Sequence, residues 1–145
     1  MSDTVAVTVK GVYMMSSPSG ATPVVMLGYG DKMLPIYIGI SEAISINGAL
    51  RNETPPRPMT HDLVVSLLES LNARIDGVII DDLNDGIYYA RLIVQMDGSK
   101  KELDARPSDC IALALRADAE ILVRKSVIDA AAVDKNEIKH SILDL

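Results

Sequence analysis

Two short stretches of this chain concentrate side chains that could do chemistry. In the first, Leu103-Asp104-Ala105-Arg106-Pro107-Ser108-Asp109-Cys110, running on to Arg116, two carboxylates and an arginine surround the point where a strand should become a helix. Residues 101–106 alternate, so Glu102, Asp104 and Arg106 share one strand face and Leu103 and Ala105 the other. Pro107 suits a first helical position, because its φ is already set and it has no amide hydrogen to leave unpaired. The helix that follows is apolar or small nearly all round, apart from a line through Asp109 and Arg116, the pattern of a helix buried on most sides. Charges are seldom buried alone, so Asp104, Arg106, Asp109 and Arg116 must be paired, hydrated or used. An ion-pair network with Asp109 complementing the helix dipole is one outcome, and a functional site is the other.

The second stretch is Thr60-His61-Asp62. A neutral imidazole can take a proton or bind a metal, and a carboxylate beside it can hold a metal or a water. Adjacent helical positions diverge by about 100°, so the two need not act on one atom. The bland alternative makes Asp62 a dipole partner and His61 a boundary residue bonded to backbone.

These residues need a scaffold, and the composition limits what it can be. The 145 residues are 48% apolar, with no Phe and no Trp, so the core must come from Ile, Val, Leu, Met and Ala. No apolar run approaches the roughly 18 residues of a membrane helix, and Met-Ser-Asp-Thr at the start lacks signal-peptide features. A cytoplasmic protein that does not engage a membrane is expected. Cys110 has no partner for a disulfide, and with only His61 and His140 beside it a structural zinc site is excluded. Any metal would be a hard ion held by carboxylates, and no organic cofactor is expected because phosphate-binding glycine patterns are absent. A formal charge of −6, with the fourteen basic residues scattered, argues against extended groove binding to nucleic acid.

Hydropathy periods give the elements. Val5, Val7 and Val9 open a strand to about Met15, and residues 23–29 and 33–38 read as a hairpin apolar on both faces. Ser41 is the predicted N-cap of a helix to about Arg51. Residues 53–59 hold three prolines and form a stiff connector that fixes Arg57. Thr60 is the predicted cap of a helix whose Leu63, Val64, Leu67, Leu68 and Leu71 make a single apolar face. Strands over 74–82, 87–96 and 100–106, joined at Asn84-Asp85-Gly86 and Asp97-Gly98-Ser99, make an antiparallel meander. The Pro107 helix, a strand over 120–124 and a short helix from Ser126 follow. The fold predicted is α+β, a single domain over 1–133 with a mixed, largely antiparallel sheet of six to seven strands and three to four helices. Residues 134–145 are a tail, helical if Ile138, Ile142 and Leu145 share a stripe, with His140 solvated. So much apolar surface for one chain predicts a homo-oligomer, a dimer at least.

Four blocks in order carry a family resemblance. They are Leu34-Pro35-Ile36-Tyr37-Ile38-Gly39 with Glu42-Ala43; Pro56-Arg57-Pro58-Met59-Thr60-His61-Asp62-Leu63; Asp82-Leu83-Asn84-Asp85-Gly86 with Tyr88-Tyr89-Ala90; and Asp104-Ala105-Arg106-Pro107-Ser108-Asp109 with Ile111-Ala112-Leu113-Ala114. In order and spacing, from about Val12 to Ala132, the chain resembles the bifunctional nuclease domain family, a small α+β family with members that degrade DNA and RNA. Tyr88, Ile87, Cys110 and Asn72 stand where Phe, Thr, Ala and Gly are commoner, which are packing and capping changes only. The resemblance implies that Glu42, Arg57, His61, Asp62, Asp104, Arg106 and Asp109 belong to the family's polar motifs. It does not assign each a role; by the chemistry a nuclease needs, Asp62, Asp104 and Asp109 would hold Mg²⁺ or Mn²⁺, His61 would be the base, and Arg57 and Arg106 would contact phosphate. The rival is a non-enzymatic oligomeric assembly module, with the motif charges forming ion pairs between subunits or an anion site at two helix N-termini.

Overall fold

The computed structural model describes residues 3–138 and 142–144. Its strands divide between two five-stranded sheets instead of forming the one larger sheet anticipated. The first strands explain the division. β1 (Thr4–Ala6) and β2 (Thr8–Ser17) were read as continuous, but the chain changes sheets at Val7. β1 pairs antiparallel with β8 (Glu120–Arg124), whereas β2 pairs with β3 (Gly20–Tyr29). One sheet runs β1-β8-β5-β6-β7, with β5 (Ala73–Asn84), β6 (Ile87–Met96) and β7 (Ser99–Ala105) forming the predicted meander and β8 parallel to β5. Both meander turns are two-residue loops, Asp85-Gly86 and Asp97-Gly98, with positive φ at every one of these positions, as a right-twisted hairpin demands.

The other sheet centres on β3, with β4 (Lys32–Tyr37) on one side. Val24, Val25, Met26 and Leu27 of β3 are all buried, so both faces are covered, as their apolar run requires. Val25 and Leu27 join the main core with Val78, Ile80 and Leu92 of the first sheet. Val24 and Met26 join a smaller cluster closed by Ile138. That residue ends the single turn α5 (Lys135–Ile138), after α4 (Lys125–Ala131) and the short β9 (Val133–Asp134). Beyond it the tail is not a helical stripe: β10 (Ile142–Asp144) pairs with β2. His140 and Leu145 lie outside the described residues.

Three helices carry the polar motifs. α1 (Ile40–Leu50) packs on β2, β3 and α3, and α3 (Pro107–Ala117) packs on β5, β6 and β8. α3 is as buried as its sequence requires, with Cys110, Ile111, Ala112, Leu113 and Ala114 enclosed. It ends at Asp118, which adopts the left-handed conformation. α2 (Thr60–Ser70) rests on α3 and β5, and none of its residues is fully buried. Val64, Val65 and Leu68 face the core, whereas Leu63, Leu67 and Leu71 point outward and are more than half exposed. The single apolar face anticipated is therefore split, because its arc is wider than one line of contact with α3 and β5 can cover. The N-caps also shift by a residue or two: Gly39 precedes α1 in place of Ser41, and Met59 precedes α2, which makes Thr60 its first helical residue.

Candidate functional site

α1, α2 and α3 converge so that their polar residues meet. Pro107, at the first position of α3, places Asp109 in the first turn and makes Arg106 the N-cap. On α2, His61 and Asp62 also occupy the first turn. The two helix starts meet through His61, whose Nε2 lies 2.8 Å from Asp109 Oδ1. Its Nδ1 lies 2.6 Å from the Oγ of Ser45 on α1. His61 thus bonds two side chains on two other helices, and not to backbone. Only 12% of its side chain is exposed, which keeps competing water away from both bonds.

Arg106 grips Asp109 from outside the helix, with Nε 2.9 Å from Oδ2 and Nη2 3.2 Å from Oδ1. Burial pushes the Asp109 carboxyl up, but the Arg106 and His61 hydrogen bonds outweigh it and hold the group below its ordinary value. Asp109 is therefore ionised at neutral pH and accepts the Nε2 proton. In the neutral ring Nδ1 is then the bare, basic nitrogen, and the Ser45 hydroxyl donates to it. Arg106 also reaches Glu42 Oε2 at 3.6 Å. Glu42 lies against Gly39, where a Cβ would strike its carboxylate.

Asp62 points the other way, as the divergence of neighbouring helical positions requires. Its Oδ1 accepts from Arg116 Nε at 2.8 Å and its Oδ2 accepts the Met59 amide at 2.9 Å. The Arg116 bond and then the Met59 amide hold the Asp62 carboxyl below its usual range. Arg116 also donates to Ala112 O and Ser45 O, at 3.0 and 3.3 Å. Since Arg116 lies seven residues beyond Asp109, roughly 10 Å along the helix axis, α2 spans α3 between these two contacts. Within this chain, Glu42, His61, Asp62, Arg106 and Asp109 of the motifs are thus already engaged, with Arg116 as a further partner.

The structure does not bring the three aspartates together. Asp62 is engaged by Arg116 and Asp109 by Arg106 and His61, while Asp104 lies exposed on edge strand β7, opposite Arg91 in register. Among the described residues no three His, Cys, Asp or Glu side chains form a group able to hold a metal ion. As placed, the three aspartates do not form the three-carboxylate Mg²⁺ or Mn²⁺ site. Arg57 is exposed in the proline connector and, among the described residues, has no ion-pair or hydrogen-bond partner. The connector and α1 border a cavity of ≈ 550 Å³ whose lining includes Ser45, Glu53, Pro55, Met59, Asp62 and Arg116; Arg57 falls in sequence between the lining residues Pro55 and Met59 but is not itself part of the lining. Cys110 takes no part: burial pushes its thiol up to about 12.

Sequence reasoning passed over Ser45 and left Arg116 out of the site. Arg116 gave a signal, as the lone charge near the end of an apolar helix. Ser45 gave none, since a serine inside a helix is ordinary and its partner lies 16 residues away.

With this geometry in view, the comparisons with known proteins are specific. Residues 24–136 match the bifunctional nuclease domain, so the chain belongs to that family. An uncharacterized protein of Mycobacterium tuberculosis is 41% identical over 113 residues, covering 77% of this chain and 67% of that one. The Oryza sativa japonica protein named Bifunctional nuclease 1 is 31% identical over 115 residues, covering 77% of this chain and 35% of its own length. Bifunctional nuclease 2 of the same plant is 26% identical over the same share of each chain. This chain thus spans about a third of the rice proteins. Among the described residues no helix is long and apolar enough to cross a membrane.

Proposed function

We propose that this protein is a phosphodiester hydrolase acting on DNA and RNA, with His61 as its general base. The observation that supports this most is the polarised chain Ser45–His61–Asp109, with contacts of 2.6 and 2.8 Å, at the edge of a cavity. Asp109 fixes the ring and stabilises the imidazolium that forms when Nδ1 takes a proton from the group attacking phosphorus. Arg106 keeps Asp109 ionised. Phosphate needs positive charge, and the charge of Arg106 is already offset by Glu42 and Asp109. Arg57, exposed and with no carboxylate on it among the described residues, is the phosphate contact. Cleavage of labelled single-stranded DNA and RNA by wild type, His61→Gln and Arg57→Ala tests the reading. His61→Gln should lose roughly 10²- to 10⁴-fold in rate, the usual contribution of a general base, and Arg57→Ala should weaken substrate binding first. Equal cleavage by wild type and His61→Gln would defeat it.

Self-association belongs to the same proposal. Leu63, Leu67 and Leu71 on α2, with Ile44 on α1 and Met59 before α2, are each more than half exposed, and an apolar stripe of this kind calls for a cover. A cytoplasmic location is the setting we infer for such an enzyme.

A further inference from the structure

We propose that Ser45 is the nucleophile of this site, deprotonated by His61, so that cleavage passes through a covalent phosphoseryl intermediate. The proposal rests on the phosphodiesterase reading for its substrate, but Ser45 can be tested without it. A serine within a helix commonly turns its hydroxyl back to the carbonyl one turn earlier. The Ser45 Oγ instead lies 2.6 Å from His61 Nδ1, to which it donates when the ring is neutral. The direction of that bond follows from Asp109, which takes the Nε2 proton and leaves Nδ1 as acceptor. Serine, imidazole and carboxylate stand in the order that activates a hydroxyl, with the ring nitrogens exchanged relative to the common hydrolase arrangement.

The surroundings suit attack on phosphorus. Ser45 and Gly48, one turn apart on α1, both line the cavity, with Glu53 across from the glycine. Arg116 lines it too, and its bonds to Asp62, Ala112 O and Ser45 O use three of its five N–H groups. Two remain for phosphoryl oxygens that gain charge in the transition state.

The steps balance with water as sole co-reactant. Ser45 Oγ forms a bond to phosphorus as its proton passes to His61 Nδ1. The P–O bond to the leaving strand breaks, and that oxygen takes the proton from His61 and departs as a hydroxyl. Water then attacks phosphorus, giving a proton to His61. The Oγ–P bond breaks, Ser45 recovers the proton, and a strand ending in a phosphate monoester is released.

The test treats the full chain with diisopropyl fluorophosphate, whose phosphorus exchanges fluoride for a nucleophilic oxygen, and reads the adduct by intact mass and peptide mapping. Wild type should carry one adduct, on Ser45. Ser45→Ala should carry none, and His61→Gln should label at least about 100-fold more slowly, in line with loss of a general base. Circular dichroism and melting of both variants confirm that they are folded, and Asp109→Asn, expected to slow labelling while keeping a hydrogen-bond acceptor, provides a second variant. An unmodified Ser45 in wild type, or labelling of folded His61→Gln at the wild-type rate, would overturn the proposal. Nucleic-acid cleavage separates the two readings. If Ser45→Ala cleaves like wild type while His61→Gln does not, Ser45 is not the nucleophile and the phosphodiesterase stands. If Ser45 labels in a His61-dependent way but wild type cleaves neither DNA nor RNA, the nucleophile stands and the phosphodiesterase falls.

Discussion

Asp109 decides which nitrogen of His61 is basic, and so what the site can do. An asparagine there still offers an oxygen to Nε2–H but cannot stabilise an imidazolium, and its amide can also turn to donate. Asp109→Asn should therefore lose cleavage by at least about tenfold with the fold kept, read by single-turnover kinetics beside circular dichroism. Asp104 makes none of these contacts, so Asp104→Asn should cleave within a few-fold of wild type. Since no three carboxylates converge among the described residues, millimolar Mg²⁺ or Mn²⁺ should leave the melting temperature nearly unchanged. An ion present at a hundred times its Kd would add about 2.7 kcal/mol, an increase that melting would readily detect. The acid response follows from the depressed carboxyls of Asp62 and Asp109. Their contribution to stability is complete above the ordinary value of 3.8 and is lost as pH falls through their lower folded values. Denaturant titrations down the acid range should show Asp62→Asn less stable than wild type near neutrality, with the gap closing as the wild-type carboxylate is protonated. Both His61 and Asp109 were legible in the sequence as candidates, but their partnership was not. Their 48-residue separation is closed only by the crossing of two helices, which no local pattern encodes.

The helices and strands were more legible than the contacts among them. The meander followed from its Asp-Gly turns, and the burial of α3 from an apolar circumference. What the sequence could not show was where continuous patterns are interrupted by packing. The alternation from Val5 to Met15 gives no mark of the sheet change at Val7, and Leu63, Leu67 and Leu71 carry the same hydropathy as the inward Val64 and Leu68. On α3, Ile111 is fully buried, and Ile111→Ala should cost about 2–5 kcal/mol of stability by urea denaturation. On α2 the opposite holds. Leu67→Glu should change the stability of the isolated chain by less than about 0.5 kcal/mol, as surface changes usually do, yet lower the mass seen by light scattering if the outward stripe joins two copies. A monomer mass for wild type across micromolar concentrations would remove the self-association proposal.

For the whole molecule, family membership and an α+β fold of two sheets with three motif-bearing helices give a small acidic protein with its polar residues gathered where the helices meet. The net charge of −6 restricts long-range attraction of nucleic acid, so binding should be local, centred on Arg57, with a shallow salt dependence set by the few phosphates held. The central claim is that His61 is a base for phosphodiester cleavage, and the most direct measurement is single-turnover cleavage of end-labelled single-stranded DNA and RNA by wild type and His61→Gln purified in parallel, with host nucleases controlled by a mock preparation. The account predicts cleavage of both substrates by wild type above the mock, reduced roughly 10²- to 10⁴-fold in a folded His61→Gln. Equal rates in wild type, variant and mock would contradict it.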